Sequence, residues 1–222
     1  MSKKSGLKSL LLIFLQNSFS WFVQHKAKKG HLEVERKFSI TASESESLPL
    51  KLRELQFRPS GSVSMTDTFI PPREAGEMMR VRDEVTADSA RSVFTLKSWV
   101  HTTGGGKERK ESEAEVSPLL RTLAIMLARF VSPGELLSFS KDRALFEGKI
   151  SGRELVVALD RVTGLGEYSG HFLEAECIVP LGEDPSKVQE IIFELVEQLF
   201  GSRREDVKRS YLDMLKLSKQ AR

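Results

Sequence analysis

Cysteine is all but missing from this 222-residue chain, Cys177 being the sole example. That excludes a disulfide framework and any zinc centre built from several thiolates, and it suits a reducing compartment. Long apolar runs are missing too. The longest, Leu10–Leu15, falls far short of the roughly 18–20 residues that cross a bilayer, so no stable membrane span is expected. A dominant charge of one sign is also lacking. The net charge of +3 arises in residues 1–32, which carry six lysines (Lys3, Lys4, Lys8, Lys26, Lys28, Lys29) and no acid. The remaining 190 residues hold 28 basic and 31 acidic side chains, so the body has no basic field of the kind a nucleic-acid binder uses. No internal repeat is found. What is present is a core-forming composition, 40% hydrophobic and 29% charged. It excludes collagen-like, low-complexity and wholly disordered chains, and the length fits one domain.

Residues 1–30 read as an amino-terminal extension, and the domain proper as residues 31–222. Lysines ahead of a short apolar run resemble a secretory signal, but no small-x-small cleavage site follows. The acid-free composition equally suits an organellar transit peptide, although arginine is absent, or a plain disordered or helical tail. The expected compartment is the cytoplasm, with a mitochondrion or other organelle as the alternative.

Residues 32–40 (LEVERKFSI) alternate strictly, with Glu33, Glu35 and Lys37 on one face and Val34 and Phe38 on the other. Further strands are expected over 62–70, 77–85, 92–100, 107–116, 136–147, 153–162 and 171–179. Helices are expected over 43–55, 118–131, 185–200 and 203–219, with Pro49 inside the first and Pro118 in the tolerated first turn of the second. This order predicts an antiparallel α+β domain.

Strand after strand repeats one pattern. Arg80 and Arg82 share a face, as do Thr95 and Lys97; Arg109, Glu111, Glu113 and Glu115; Lys141 and Arg143; and Glu174 and Glu176, while Asp160 ends the run LVVALD. For a single strand, one solvated face explains this. Repeated clusters of like charge are costly on a sheet, and ligands of both signs would relieve them: a polyanion for the cations, and a divalent cation between that polyanion and the carboxylates. Crowding of this kind also predicts that deleting Arg80 or Arg82 leaves stability unharmed or raised. A closed barrel would use both faces, apolar outward beneath helices and polar inward around a ligand.

Glu33-Val34-Glu35-Arg36-Lys37 is an E-x-E-x-K signature, and it is followed in order by Arg80-x-Arg82, Thr95-Leu96-Lys97, Arg109-x-Glu111-x-Glu113, Lys141-x-Arg143, Leu159-Asp160, Glu174-x-Glu176 and Lys208-Arg209-Ser210-Tyr211. The series resembles the CYTH family, or triphosphate tunnel metalloenzymes, which includes class IV adenylyl cyclases, thiamine triphosphatases and inorganic tripolyphosphatases. The resemblance implies a closed eight-stranded antiparallel β-barrel, a triphosphate tunnel with helices packed outside. It further implies a phosphate grip of Lys37, Arg80, Arg82, Lys97, Arg143 and Lys208, with Arg109 and Lys141 beside them. The implied ligands for Mg²⁺ or Mn²⁺ are Glu33, Glu35, Glu111, Glu113, Asp160, Glu174 and Glu176. Where relatives often carry D-T-Y-Y-D, this chain reads Asp67-Thr68-Phe69-Ile70-Pro71. Phe69 cannot donate a proton, so a lysine–tyrosine dyad is lost, and Lys97 or a metal-bound water is left to activate the nucleophile; Lys37 is the other catalytic candidate. Gly164-Leu165-Gly166 and the run from Gly170 to Glu174 resemble the loop into the late acidic strand of the hydrolase branches.

Other residues read more plainly. His171 suits a loop or strand edge better than an acid catalyst, Gly104–Gly106 a hairpin loop better than a phosphate cradle, Cys177 a core thiol, and Trp99 half-buried packing. The implied activity is metal-dependent hydrolysis of a small triphosphate, thiamine triphosphate or inorganic tripolyphosphate. The alternatives are a class IV-type adenylyl cyclase and a weakly catalytic module that binds polyphosphate or nucleotide. The oligomeric state is left open, a monomer included.

Overall fold

The computed structural model describes residues 31–70, 77–101, 107–131, 136–180 and 183–220; side chains at 31, 32, 98–101, 107–111 and 131 lie outside that description. Among the described residues are eight strands: β1 (His31–Ile40), β2 (Arg58–Ile70), β3 (Met78–Val85), β4 (Ala90–His101), β5 (Lys107–Val116), β6 (Leu137–Ile150), β7 (Arg153–Thr163) and β8 (Gly170–Pro180). Four helices accompany them: α1 (Ala42–Glu54), α2 (Pro118–Val131), α3 (Pro185–Phe200) and α4 (Tyr211–Gln220), plus a 3₁₀ turn at Gly166–Tyr168. The hydrogen-bonding order is β1-β8-β7-β6-β2-β3-β4-β5, and the registers of β1–β8, β7–β8, β6–β7, β3–β4 and β4–β5 are antiparallel. The predicted α+β class is therefore observed. The described residues within 65–138 form one compact unit, and those within 31–64 and 139–220 another.

In the larger unit, the apolar half of each alternation makes the core. Val34, Phe38, Val157, Leu159, Leu173, Ala175 and Val179 pack with Leu48 and Leu52 of α1 and with Val188, Ile192, Leu195, Val196 and Leu199 of α3. Local signals set the helix ends. Thr41 and Glu44 form a reciprocal capping box that starts α1, so Pro49 is carried inside the helix. Asp184 caps α3 ahead of Pro185, and Gly201 ends it at φ 75°, a left-handed conformation glycine adopts without penalty. Gly148 is required for another reason: a Cβ there would lie 2.5 Å from the Phe57 ring.

Helix α4 begins at Tyr211, not near 203, which places Lys208 ahead of the helix rather than within it. The backbone of that stretch is committed to β1 instead. Val207 N–H donates to the Lys37 carbonyl at 2.6 Å, Lys37 Nζ donates to the Arg209 carbonyl at 2.7 Å, and Arg36 pairs with Asp206 at 3.4 Å. Only then does Ser210 open the helix, its Oγ accepting from the Asp213 N–H at 3.2 Å while Asp213 Oδ2 accepts from the Ser210 N–H at 3.2 Å.

In the smaller unit, Met79, Val81, Phe94, Ala114 and Val116 form the apolar face, covered by Ala124 and Ala128 of α2. Those two alanines lie one helical turn apart, which lets the helix approach the sheet closely.

Candidate functional site

The registers of the larger unit decide which charges share a face. On β8, Glu174 lies across from Lys37, Glu176 from Glu35, and Ile178 from Glu33; Asp160 on β7 lies across from Arg143 on β6. These side chains occupy the face opposite the helix-covered core, as the period of two requires.

Asp160, only 1% exposed, is the hub. Arg143 donates to it through Nε at 2.7 Å and Nη2 at 2.6 Å, Lys141 Nζ at 3.4 Å and Tyr211 Oη at 3.2 Å. Arg143 Nη2 also donates to Glu174. Tyr211 is wedged between the rings of Phe139 and Phe172, with centroids 5.5 and 5.3 Å away. Its own ring carries the Lys37 ammonium at 4.0 Å and the Lys141 ammonium at 5.4 Å. Helix α4 thus closes one end of the cluster through a single side chain.

Electrostatics divide this face along the strands. At the Tyr211 end, burial by itself would raise the Asp160 pKa, but Arg143 and Lys141 outweigh it and the carboxyl is held below its ordinary value. Lys37 is lowered, chiefly by burial, against the pull of Glu174, Glu35 and Asp160. Further along β1 and β8 the carboxyls repel one another. Burial, with Glu174 and Glu33 adding to it, raises Glu35. Glu176 is pushed up to about 8 by burial, by its hydrogen bond and charge contact with Glu33, and by the charge of Glu35. A hard divalent cation takes carboxylate oxygens and relieves this repulsion, so the donor chemistry of Glu33, Glu35 and Glu176 fits Mg²⁺ or Mn²⁺. Among the described residues no three such side chains already converge on one coordination point.

The smaller unit carries its own charged face. Arg82 grips Asp67 with both branches of its fork, Nε to Oδ1 at 2.7 Å and Nη2 to Oδ2 at 3.0 Å. Arg80 Nη1 lies 3.5 Å from Asp67 Oδ2, and its Nη2 donates to Thr95 Oγ1 at 3.0 Å and Glu113 Oε1 at 3.3 Å. Thr95, fully buried, donates to Glu113 at 2.9 Å. Lys97 stands two residues along β4 on the same face, across from Met78 and Glu111.

The expected cations and acids are therefore brought together in two sets: Lys37, Lys141, Arg143, Asp160, Glu174, Glu33, Glu35 and Glu176 in one unit, and Arg80, Arg82, Lys97 and Glu113 in the other. Lys208 stands apart, 74% exposed at its side chain and bonded to Asp206. The side chains of Arg109, Glu111 and Trp99 lie outside the described residues, as does the whole of Gly104–Gly106. Cys177 is buried on the core face, where burial raises its thiol pKa. His171 is the second residue of β8, across from Ile40 and Arg161.

One expectation is corrected. Arg80 and Arg82 are not a crowd of uncompensated cations, because Asp67, 1% exposed, neutralises both; removing either arginine takes a partner from a buried carboxylate. Asp67 and Tyr211 are two central residues that the sequence shows within motifs but to which it assigns no site role. Asp67 could have been suspected as an acid sharing a strand face with Met65 and Phe69, both of which are buried. Tyr211 falls with Met214, Leu215 and Ser218 on a helical spacing whose members are all buried.

The model of the CYTH domain matches residues 31–211, and the chain belongs to the CYTH family. Members of that family typically act as metal-dependent triphosphatases. No curated protein matches the chain. Among solved structures it resembles the PH1819 protein of Pyrococcus horikoshii OT3 at 22% identity and TM-score 0.61, over 84% of this chain and 99% of that one. It also resembles the PH1012 protein of the same organism at 21% identity and TM-score 0.59, over 82% and 99%. A third, HpAC1 from Hippeastrum, is designated a candidate adenylyl cyclase and described as having a dominant triphosphatase activity. It matches at 18% identity and TM-score 0.53, over 86% of this chain and 96% of that one. At these identities the likeness establishes the fold alone.

Proposed function

We propose that this protein hydrolyses the phosphoanhydride of a small triphosphate, thiamine triphosphate or inorganic tripolyphosphate, with Mg²⁺ or Mn²⁺. The observation that carries the proposal is the segregation of charge on one strand face: Lys37, Lys141 and Arg143 at one end, and mutually repelling Glu33, Glu35 and Glu176 at the other. Phosphate oxygens suit the first set and a hard cation the second, and a triphosphate carrying its cation satisfies both. The ion, when bound, supplies neutralisation of charge building on the phosphate oxygens.

The protein's own groups do the rest. Arg143, held by Asp160 and Glu174, presents a guanidinium whose orientation is fixed before substrate arrives, and Lys37, held by the Arg209 carbonyl and the Tyr211 ring, presents a partly desolvated ammonium. With its pKa lowered, Lys37 is suited to passing a proton to the departing phosphate. In the smaller unit Arg80, Arg82, Lys97 and Arg109 are assigned to phosphate binding and Glu111 and Glu113 to the cation. Lys208 is assigned to the outer rim of the phosphate site. Lys97 is the second candidate for proton transfer, since Phe69 offers no hydroxyl. Closure of the sheet into a tunnel belongs to this proposal.

Product analysis on thiamine triphosphate, tripolyphosphate and ATP, each with Mg²⁺ and with Mn²⁺, tests it. Orthophosphate from one of the first two is expected. Pyrophosphate with a cyclic nucleotide would identify a cyclase instead, and affinity without turnover at every metal concentration would identify a binding module.

A further inference from the structure

Helix α2 carries an apolar stripe on the side away from its own core. Among the described residues, exposed large hydrophobics concentrate here: Leu119 is 77% exposed, Met126 63%, Phe130 53%, Leu123 44% and Leu120 41%. At about 100° per residue, Leu119, Leu123, Met126 and Phe130 fall within about 60° of one another. They lie opposite Ala124 and Ala128, which are 4% and 1% exposed and seat the helix on its sheet. Solvated helix faces are ordinarily polar, and contiguous apolar patches of this kind mark contact surfaces.

The spacing of the stripe identifies its occupant. Steps of four, three and four residues are those of a helix–helix seam, and the pattern reads the same in both directions. When two copies of α2 are laid antiparallel about a two-fold axis between Ala124 and Ile125, Leu119 meets the partner copy's Phe130 and Leu123 meets its Met126. A self-complementary patch of this type is what an isologous two-fold interface requires.

Charge agrees. The helix contains no acid, and its only charges are Arg121 and Arg129. Arg121 is already engaged by Asp83, with Nε at 3.0 Å from Oδ1. Arg129 lies on the flank of the stripe, and the two-fold axis sets the two Arg129 residues about 13 Å apart along the seam, beyond a Debye length at physiological salt. Antiparallel packing also sets each helix amino terminus beside the other's carboxyl terminus, a favourable dipole arrangement. Burying the five exposed side chains on both copies removes on the order of 1,000 Å² from water, the lower bound for a specific interface.

From these observations we infer that the protein forms a two-fold dimer through antiparallel pairing of α2. An interface at the low end of the size range fits a reversible dimer, not an obligate one. Sedimentation velocity on the full chain across about 1–100 μM tests it: a monomer–dimer equilibrium is expected, shifted at least about tenfold towards monomer by Leu123→Glu or Met126→Glu, with an unchanged far-ultraviolet circular dichroism spectrum. Register gives a second readout, because Cys177 is buried and leaves no competing thiol. An oxidised mixture of Leu119→Cys and Phe130→Cys should form the mixed disulfide. Leu119→Cys alone should not, since its two copies would be about 16 Å apart along the seam. A wild-type chain that stays monomeric to 100 μM would overturn the inference. So would a dimer that survives both glutamate variants, which would put the contact elsewhere, residues 1–30 included.

Discussion

Replacing Arg82 with alanine separates two accounts of the smaller unit. If its arginines merely repelled one another, the loss would relieve the fold. In the structure Arg82 holds Asp67 by a two-pronged ion pair at 2.7 and 3.0 Å, with the Asp67 side chain 2% and the Arg82 side chain 16% exposed. Breaking a buried pair from one side costs about 3–5 kcal/mol, because the remaining charge has lost its partner. Arg80 Nη1 stays 3.5 Å from the same carboxylate and offsets part of this, which brings the expected loss to about 2–3 kcal/mol. For a domain of this length each kcal/mol moves Tm by about 2–4 °C, so Arg82→Ala should melt about 4–12 °C lower. Arg82→Lys keeps the charge without the fork and should lose roughly half as much. The Asp67→Ala, Arg82→Ala double variant should lose less than the two single losses summed, since it leaves no orphaned charge. Thermal melts of the wild type, Arg82→Ala, Arg82→Lys, Asp67→Ala and the double variant in one buffer decide the matter. An unchanged or raised Tm for Arg82→Ala would refute the reasoning and restore the repulsion account.

Tyr211→Phe keeps the ring beneath Lys37 and removes only the hydroxyl on Asp160; Arg143 and Lys141 still hold that carboxylate, so a cost of about 1 kcal/mol is expected in chemical denaturation, whereas Tyr211→Ala should cost about 3–5 kcal/mol. The metal-free protein should lose stability as pH rises from about 4.5 to about 8, because folded Glu176 holds a proton there that the unfolded chain releases. Melts over that range should show the slope, and Glu176→Gln should flatten it. Glu33→Gln or Glu35→Gln should lower turnover at least on the order of 100-fold with the circular dichroism spectrum preserved, and near-normal rates for the double variant at low Mg²⁺ would count against both assignments.

The sheet was legible because its two faces differ so sharply in chemistry. Val34 and Phe38 alternating with Glu33, Glu35 and Lys37 locate β1 and orient it, and Cys177 between Glu176 and Ile178 does the same for β8. Helices α1 and α3 were readable from Leu48 and Leu52, and from the helical spacing of Leu195, Val196 and Leu199. The stretch before α4 was not. Asp206 to Arg209 has nothing against helix in its composition, and it is held out of one by Lys37 and Arg36, some 170 residues earlier. The role of Asp67 was not legible for a related reason. A strand pattern shows that an acid is inward-facing, but only the neighbouring strand shows which arginine meets it. Tyr211 lies in a short motif that displays its lysine and arginine, yet its position among Asp160, Lys37, Phe139 and Phe172 is set by docking of the last helix, a contact with no local signature.

The most direct test of the central claim is the rate of orthophosphate release from tripolyphosphate and from thiamine triphosphate, followed as Mg²⁺ is removed by chelation and then returned. Hydrolysis that stops without the ion and recovers with it is the predicted result. It should be lost in Glu35→Gln and in Arg143→Ala, one residue from each end of the charged face. No orthophosphate from either compound at any Mg²⁺ concentration, or a rate indifferent to the chelator, would contradict the account.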